Sequence, residues 1–347
     1  MLTEERVLEA LRAVKFPGLT RDIVSFGFVK NVRIQGEEVW VEIALTTANE
    51  QAGPVVEREA REVLERLPGA EQVHLSVKVI APPKAAPIRQ IMPGVKFKVA
   101  VASGKGGVGK STVAANLALA LRQLNLAVGL LDADIYGPSQ HLMMGCVDPP
   151  RVNDEEKILP VEGNGVKVMS LGFLVDADSP VIWRGPMVMK ALQQFLEDVA
   201  WGELDVLVVD LPPGTGDAQL TITQQLPLDG AIIVTTPQDV ALIDARKGLF
   251  MFQKVNVPVL GVVENMSVFL CPHCGYRTEI FKSGGGRSTA AELGVPFLGE
   301  IPIDPEVVLS GDAGRPIVVA RPDSPAAKAF VKLARAVVEG LGGSVHG

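Results

Sequence analysis

The chain has 347 residues, enough for two domains, and its 47% hydrophobic and 21% charged residues are typical of a globular protein with a substantial core. The formal net charge of −7 and the lack of a dense Lys/Arg run argue against nucleic acid or anionic membrane as a partner. An acidic N-terminal segment, no bilayer-length apolar run and only three cysteines predict a cytoplasmic protein with reduced thiols rather than a secreted or membrane protein.

Residues 1–80 have the pattern of a small α+β domain. Their apolar periodicities predict, in chain order, a helix at 3–16, a strand at 23–34, a strand at 38–47, a helix at 53–67 and a strand at 74–80. The second strand alternates polar and apolar residues, as a strand with one buried face does. The segment 81–95 contains four prolines, which predicts a semi-rigid linker.

The pattern changes from residue 96 onwards. Short runs rich in Val, Ile and Leu occur at 97–103, 126–134, 204–213, 230–237 and 257–266. Such runs are typical of parallel strands buried on both faces, and helical periodicity separates them, for example at 111–124 and 240–255. We therefore predict that 96–347 is a doubly wound α/β domain with a mostly parallel sheet, which binds its ligand at the carboxyl ends of the strands.

A glycine-rich segment, GKGGVGKST, joins the first of these strands to the first helix and matches the P-loop pattern G-x-x-x-x-G-K-[ST]. Glycines let the backbone N–H groups turn towards phosphate oxygens, and the helix N-terminus adds unpaired donors. Lys110 is predicted to reach the β- and γ-phosphates, and Ser111 to hold Mg²⁺. The predicted nucleotide-binding residues are Gly104, Lys105, Gly106, Gly107, Val108, Gly109, Lys110, Ser111 and Thr112.

Acidic residues stand at the ends of two other predicted strands. Asp210 ends one strand, where a carboxylate can bind Mg²⁺ through water, and Asp132 and Asp134 end another. The parallel sheet would bring these carboxylates close to the P-loop. The following loop, 210–217, contains two prolines and two glycines and is predicted to sense the γ-phosphate and to move on hydrolysis.

The second lysine, Lys105, makes the loop resemble the deviant Walker A motif of the ATPase class that contains nitrogenase iron protein and the ParA/MinD proteins. In that class the extra lysine reaches the partner's phosphates across a nucleotide-sandwich homodimer. Within the class, the chain resembles the Mrp/ApbC family of iron–sulfur cluster carrier ATPases. The resemblance covers about 95–305 and rests on the blocks SGKGGVGKST, DADIYGPS, WRGPM, DLPPGTGD, VENMS and CPHCG.

The resemblance implies a function and a set of residue roles. The protein would bind and hydrolyse ATP, receive an iron–sulfur cluster from assembly machinery, hold it between two subunits and pass it to acceptor apoproteins. Lys105, Lys110 and Asp134 would act in hydrolysis. Asp134 would belong to the first switch and position the attacking water, and Asp132 would lie near Mg²⁺. Asp210 would be the Walker B acid, and Asn265 would contact adenine.

The first domain resembles the small iron–sulfur assembly domain that precedes the ATPase in many relatives. Such domains often carry a cysteine shortly after the strand that ends in LTT. Here that segment reads LTTANEQAGPVV and has no cysteine. We therefore expect the first domain to have a docking or regulatory role rather than a metal-binding one.

The turn CPHCGY holds Cys271 and Cys274, a spacing that presents two thiolates to one metal centre. A structural zinc site, a redox dithiol and simple packing are alternative interpretations. Two ligands do not complete a site, but a two-fold homodimer doubles them to four, which suits zinc or a 4Fe–4S cluster. The family resemblance favours the cluster. His273 is expected to be a turn residue, and Cys146 to pack in the core.

Three other classes of protein share some of these features. A ParA/MinD-like positioning ATPase would carry a protein, membrane or DNA cargo, and the C-terminal helix 326–341 has an apolar face that could serve it, although core packing is the expected role of that helix. A nitrogenase-reductase-like electron donor would carry its cluster cysteines on two distant segments. A structural zinc protein with a vestigial ATPase is the third alternative.

Overall fold

The computed structural model describes residues 2–16, 22–25, 27–46, 52–80, 92–134, 136–174 and 193–343. The chain forms two compact units, Met1–Arg89 and Gln90–Gly347. The predicted linker, 81–95, lies outside the described residues up to residue 91, and its last residue, Val95, already begins a strand. The WRGPM block at 183–187 also lies outside them.

The first unit is a three-stranded sheet covered by two helices on one face. Its elements are α1 Glu4–Leu11, β1 Val29–Gln35, β2 Glu38–Thr46, α2 Ala52–Glu65 and β3 Gln72–Ile80. The sheet order is β1-β2-β3, with β1 antiparallel and β3 parallel to β2. Alternate residues of β2 are buried in one core with residues of both helices, as the alternation predicted: Val39, Val41, Ile43 and Leu45 with Val7, Leu11, Val56 and Leu64.

The predicted strand 23–34 is too long, because the observed strand begins only at Val29. The residues before it form a turn in which the Asp22 carboxylate accepts hydrogen bonds from Ser25 N and Ser25 Oγ, both at 2.7 Å. Ile23 is nonetheless fully buried. The apolar residues of this segment therefore signalled burial correctly, whereas the local aspartate–serine turn set the backbone.

The second unit contains the remaining elements. They are β4 Val95–Ser103, α3 Lys110–Gln123, β5 Val128–Asp132, α4 Gln140–Met143, β6 Arg151–Val152, β7 Ile158–Leu159, β8 Val161–Gly163, β9 Val166–Ser170, a 3-10 turn Leu171–Leu174, β10 Leu204–Asp210, α5 Asp217–Gln225, β11 Gly230–Thr235, α6 Asp239–Lys254, β12 Val259–Glu264, β13 Phe269–Leu270, β14 Arg277–Thr278, α7 Gly285–Glu292, β15 Phe297–Glu300, α8 Pro305–Asp312, α9 Ile317–Ala320 and α10 Pro325–Gly340. Residues 193–197 form a further helical turn.

The main sheet has the order β15-β12-β11-β4-β10-β5-β9-β8 and is parallel except for β8, which pairs antiparallel with β9 at one edge. Alternate residues of β4 enter different cores. Val99 and Val101 pack on the face covered by α3 and α10, whereas Ala100 and Ala102 pack on the opposite face with residues of α5 and α6. Helices therefore cover both faces, which confirms the predicted doubly wound α/β fold.

The apolar face of α10 belongs to this core. Phe330, Leu333 and Val337 are buried in the cluster that contains α3, and helix α10 lies against α3. The expected core-packing role of this helix is confirmed, so the face that a membrane-bound positioning ATPase would need is already covered by protein. Among the described residues, no helix is both long and apolar enough to cross a membrane.

Two identical substitutions on different helices test this packing. Leu333→Ala removes a buried side chain and leaves a cavity, so we expect the free energy of unfolding to fall by about 2–5 kcal/mol. Leu309→Ala on α8 removes a side chain that is 61% exposed, and we expect a change within about 0.5 kcal/mol. Urea denaturation followed by circular dichroism measures both. Equal losses in the two variants would contradict the assigned burial.

Candidate functional site

The P-loop lies at the carboxyl end of β4, between β10 and β11 in the sheet, and runs directly into α3. The neighbouring strands end at the same edge because they are parallel. Asp210 of β10 and Asp132 of β5 stand opposite each other in register. The topology therefore brings together the glycine-rich loop and the acidic strand ends that the sequence places far apart.

The glycines of the loop allow a backbone path that other residues would obstruct. Gly107 and Gly109 have φ values of 80° and 78°, in the left-handed region that favours glycine. A Cβ at Gly104 would lie 2.1 Å from the backbone oxygen of Asp244, and one at Gly109 would lie 2.3 Å from Nδ2 of Asn265. The loop is thus a tight cradle that opens onto the N-terminus of α3, which is the geometry that a phosphate group requires.

Lys110, the first residue of α3, is buried among acidic partners. Its ammonium contacts Oδ1 of Asp210 in a short ion pair, lies 3.4 Å from Oδ2 of Asp134 and 3.2 Å from Oγ of Ser111. A buried ammonium is costly unless it is paired, and these carboxylates pair it. The structure therefore gathers three of the predicted residues around the charge of a fourth, Lys110.

Gln140 is a further residue of this site, one that sequence reasoning missed. Its side chain is fully buried, and Nε2 donates to the backbone oxygen of Ser111 at 2.9 Å and to Oδ2 of Asp210 at 2.8 Å. It thereby holds the predicted Walker B carboxylate against the P-loop. The available signal was its position immediately after the DADIYGPS block, but glutamine has no chemistry that would single it out in the sequence.

Asp132 is buried and organises the segment that follows β5. Its carboxylate accepts four hydrogen bonds, from Asp134 N at 3.1 Å, Ser139 N at 2.9 Å, Gln140 N at 3.0 Å and Ser170 Oγ at 2.8 Å. Burial, together with the nearby charge of Asp210, raises the pKa of Asp132 to about 7. The observed contacts make Asp132 a support for the chain between Asp134 and Gln140, and its expected place beside Mg²⁺ stays a prediction.

Asp134 differs from Asp132 because part of its carboxylate is unused. Burial raises the pKa of Asp134, against the lowering effect of the Lys110 ammonium. Its Oδ1 atom is buried and has no hydrogen-bond partner within the part of the chain that the structure describes. A buried acceptor without a partner is costly, so this atom is suited to a water molecule or a ligand. The geometry therefore fits a residue that orients water beside the phosphates.

Asn265 follows β12 and contacts the P-loop through its side chain. Its Nδ2 donates to the backbone oxygen of Val108 at 2.9 Å, and its backbone nitrogen donates to Thr235 O at 2.8 Å. The side chain is nearly buried. The asparagine is thus part of the loop's support, while the adenine contact implied by the family resemblance stays a prediction.

The two cysteines lie in the turn of a β-hairpin formed by β13 and β14. Cys271 N donates to Tyr276 O at 3.0 Å and Gly275 N donates to Cys271 O at 2.9 Å, which closes the turn. Hydrogen bonds from the backbone N–H groups of Cys274 and His273, and from the Cys274 thiol, lower the pKa of Cys271. Such donors stabilise a thiolate, the form that binds metals.

Cys146 has the opposite environment. It is buried in the core, and burial raises the pKa of its thiol to about 11. The expected packing role of Cys146 is confirmed. Among the described residues, no cluster of three or more His, Cys, Asp or Glu side chains could hold a metal ion. The hairpin of one chain contributes two thiols, those of Cys271 and Cys274, and their binding of a metal stays a prediction.

Comparison with known proteins assigns both units. A family model described as "NUBPL iron-transfer P-loop NTPase" matches residues 94–338, and one described as "Iron-sulfur cluster assembly protein" matches residues 4–77. An iron-sulfur cluster carrier protein of Synechocystis is 47% identical over 343 residues, which are 97% of this chain and 97% of that protein.

Two solved structures are similar to the second unit. A nucleotide-binding protein from Archaeoglobus fulgidus, in complex with ADP, is 40% identical with a TM-score of 0.61, over 70% of this chain and 94% of that chain. The cell division ATPase MinD of Pyrococcus furiosus is 26% identical with a TM-score of 0.51, over 70% of this chain and 98% of that chain. The chain therefore belongs to the NUBPL iron-transfer P-loop NTPase family, with an iron–sulfur cluster assembly domain in front of the NTPase domain.

Proposed function

We propose that this protein is an ATP-dependent carrier of iron–sulfur clusters. It binds ATP with Mg²⁺ at the P-loop, hydrolyses it, holds a 4Fe–4S cluster between the cysteine turns of two subunits and transfers that cluster to acceptor apoproteins. The observation that carries the proposal is the continuity of one segment, which contacts the P-loop through Asn265 and presents Cys271 and Cys274 a few residues later. The carrier role named for the Synechocystis relative supports the same function.

The nucleotide chemistry follows from the residues around Lys110. The backbone N–H groups of the glycine loop and the Lys110 ammonium would bind the phosphate oxygens, and Ser111 would hold Mg²⁺, which neutralises charge on the phosphates. Gln140 keeps Asp210 beside this position. Asp134, with its unpaired Oδ1, orients water for attack on the γ-phosphate. These residues need no redox partner, so the ATP reaction and the cluster remain chemically separate.

Asp134→Asn tests the assigned role in hydrolysis. The amide keeps the shape of the side chain but removes the carboxylate that orients water, so we expect kcat for ATP hydrolysis to fall by about 100-fold or more. The Kd of ATP should change by less than about threefold, because the phosphate cradle remains intact. Phosphate release and equilibrium binding measure the two quantities. Asp148→Asn, an exposed carboxylate in the same region, is the control, and wild-type hydrolysis by Asp134→Asn would contradict the role.

A second subunit would complete the cysteine site, and the surface beside the P-loop suits such a partner. Helix α6 exposes a stripe of apolar side chains, Val240, Ile243 and Phe250, each more than half exposed, with the exposed Lys247 between Ile243 and Phe250. The backbone of the same helix packs against Gly104, next to Lys105. An apolar stripe that borders the lysine expected to cross between subunits favours a face-to-face homodimer.

An acidic substitution in the stripe tests the dimer. Ile243→Asp places a charge where apolar surface would be buried, so we expect the dimer formed with AMPPNP to weaken by at least about tenfold. Val308→Asp changes an equally exposed apolar residue on α8 and should leave dimerisation unchanged. Sedimentation velocity at several protein concentrations measures the association. Equal behaviour of the two variants would exclude the α6 stripe from the interface.

The cysteine pair is tested by anaerobic reconstitution with iron and sulfide. We expect about four irons and four sulfides per dimer in the wild type. Cys271→Ala together with Cys274→Ala should lose them while ATP binding persists, whereas Cys146→Ala should retain them, since that thiol lies in the core. Full iron content in the double variant would disprove the cluster assignment. Stoichiometric zinc without sulfide would instead support a structural metal site.

The first unit has a docking or regulatory role in this proposal. It matches the assembly-protein model, yet all three cysteines of the chain lie in the second unit, at positions 146, 271 and 274. Thiolates are the usual protein ligands of iron–sulfur clusters. The first unit therefore contributes to recognition of assembly or acceptor proteins, and the second holds the cluster.

A further inference from the structure

Glu264, the last residue of β12, is a buried carboxylate that the nucleotide and cluster sites described above do not use. Its side chain is fully buried. Oε1 accepts hydrogen bonds from Ser267 Oγ at 2.8 Å and from Gly284 N at 3.0 Å, and Oε2 accepts one from Gly286 N at 2.6 Å. Residues 267–284 contain the cysteine hairpin, so this single carboxylate holds the chain where it leaves for the hairpin and where it returns.

We call Glu264 together with Ser267, Gly284 and Gly286 the clasp. At Gly284 and Gly286, where the chain returns from the hairpin, the backbone lies close to the carboxylate. Gly284 has φ 78° and stands just before α7, and Gly286 lies in the first turn of that helix. A Cβ on Gly286 would lie 3.0 Å from Cβ of Glu264 and 3.1 Å from its Oε2. The carboxylate therefore caps the N-terminus of α7, where backbone donors and the helix dipole favour a negative group. Breaking these bonds would leave buried donors and acceptors unsatisfied, which is expensive.

The clasp is joined to the nucleotide site by the next residue in the chain. Asn265 donates its side-chain amide to Val108 O in the P-loop. Met266 follows with a left-handed φ of 54°, and Ser267, whose hydroxyl binds Glu264, comes next. A shift of the P-loop backbone around bound phosphate would therefore move Asn265, which lies between Glu264 and Ser267 in the chain.

The clasp is joined to the cysteines by backbone pairing and by a second carboxylate. Ser267 N donates to Ile301 O at 3.0 Å, and Ile303 N donates to Val268 O at 2.7 Å. These two backbone hydrogen bonds hold the chain between Glu264 and β13 against residues 301–303. Glu300 lies 3.4 Å from the Ser267 hydroxyl and 3.3 Å from the guanidinium of Arg277 in β14. Both strands of the cysteine hairpin are thus tied to the region around Ser267.

We propose that Glu264 is the positioning residue that transmits the nucleotide state of the P-loop to the cysteine turn. The inference rests on the proposed carrier function and adds a route for its regulation. A change at Val108 moves Asn265, which alters the angle at which Ser267 reaches Glu264. Because the same carboxylate holds Gly284 and Gly286, both ends of the hairpin segment respond together. The spacing and accessibility of the two thiols then differ between the ATP and ADP states, which changes how tightly the cluster is held.

The test compares wild type, Glu264→Gln and Ser267→Ala in full-length protein. Glu264→Gln keeps the size of the side chain but replaces one carboxylate oxygen by an NH₂ group. Because NH₂ cannot accept a hydrogen bond, at least one of the three bonds from Ser267 Oγ, Gly284 N and Gly286 N is lost. Ser267→Ala removes the bond to Glu264 and the 3.4 Å contact of the hydroxyl with Glu300, and it leaves the Glu264 carboxylate unchanged. Glu292→Gln is the matched control, because Glu292 is an exposed residue of α7 that pairs with Arg246 rather than with the clasp.

Two measurements are made in ADP and in AMPPNP. Amide hydrogen exchange over residues 269–278 reports the turn without any cluster, and the rate of cluster loss to EDTA, followed by visible absorbance, reports the loaded dimer. We expect the wild type to differ between the nucleotides in both. In Glu264→Gln the ratio of the two cluster-loss rates should fall to within about twofold of one, with a smaller reduction in Ser267→Ala. Nucleotide Kd and iron content should stay at the wild-type level, as should every value in the control.

Each result decides the proposal. A wild-type protein whose hydrogen exchange at 269–278 is the same in both nucleotides overturns it, and so does full nucleotide dependence in both clasp variants. If Glu264→Gln does not fold, Ser267→Ala alone decides, because it leaves the carboxylate and its bonds to Gly284 and Gly286 in place. Nucleotide-dependent exchange in a wild type that binds no iron would contradict the carrier function and leave the clasp inference supported.

Discussion

The ion cluster around Lys110 is the constraint on which the second unit depends. An ammonium with almost no access to water must have anionic partners, and Asp134 and Asp210 supply them from two different strand ends. Asp210 in turn is held by Gln140, and Asp132 holds the backbone of Gln140. These contacts hold together the P-loop, the segment after β5 and the end of β10.

The cysteine hairpin also depends on polar contacts, because it has little apolar support of its own. Tyr276, Ile280 and Phe281 are exposed, and the paired strands β13 and β14 are only two residues long each. A short hairpin is marginal in isolation. Polar contacts hold its base: Glu264 accepts hydrogen bonds from both ends of the segment, and backbone hydrogen bonds pair Ser267 with Ile301 and Val268 with Ile303. A turn supported in this way can change position without disturbing a packed core, which is what a carrier that must release its cargo needs.

The family resemblance and the positions of the main parallel strands along the chain could be anticipated because they depend on local chemistry. Buried parallel strands have continuous apolar sequences, as β4, β10 and β11 do, and a P-loop requires glycines at set spacings. The segment before β1 was misjudged because apolar residues signal burial without distinguishing a strand from a turn, and Asp22 decided for the turn. The antiparallel pair β8–β9 at the sheet edge has no strong local signature either, because its strands are short.

The sequence by itself determined the phosphate-binding loop, the cysteine pair and the doubly wound class, since each depends on residue types at fixed local spacing. Only the tertiary structure revealed Gln140 as part of the nucleotide site and Glu264 as the carboxylate that contacts both ends of the cysteine-hairpin segment. Gln140 directly follows the DADIYGPS block and Glu264 stands inside the VENMS block. Neither position reveals the role of the residue, because each acts through partners brought close by folding: Ser111 and Asp210 for Gln140, and both ends of the cysteine hairpin for Glu264. Which polar side chain ends up buried, and against which backbone groups, is decided by the packing of distant segments.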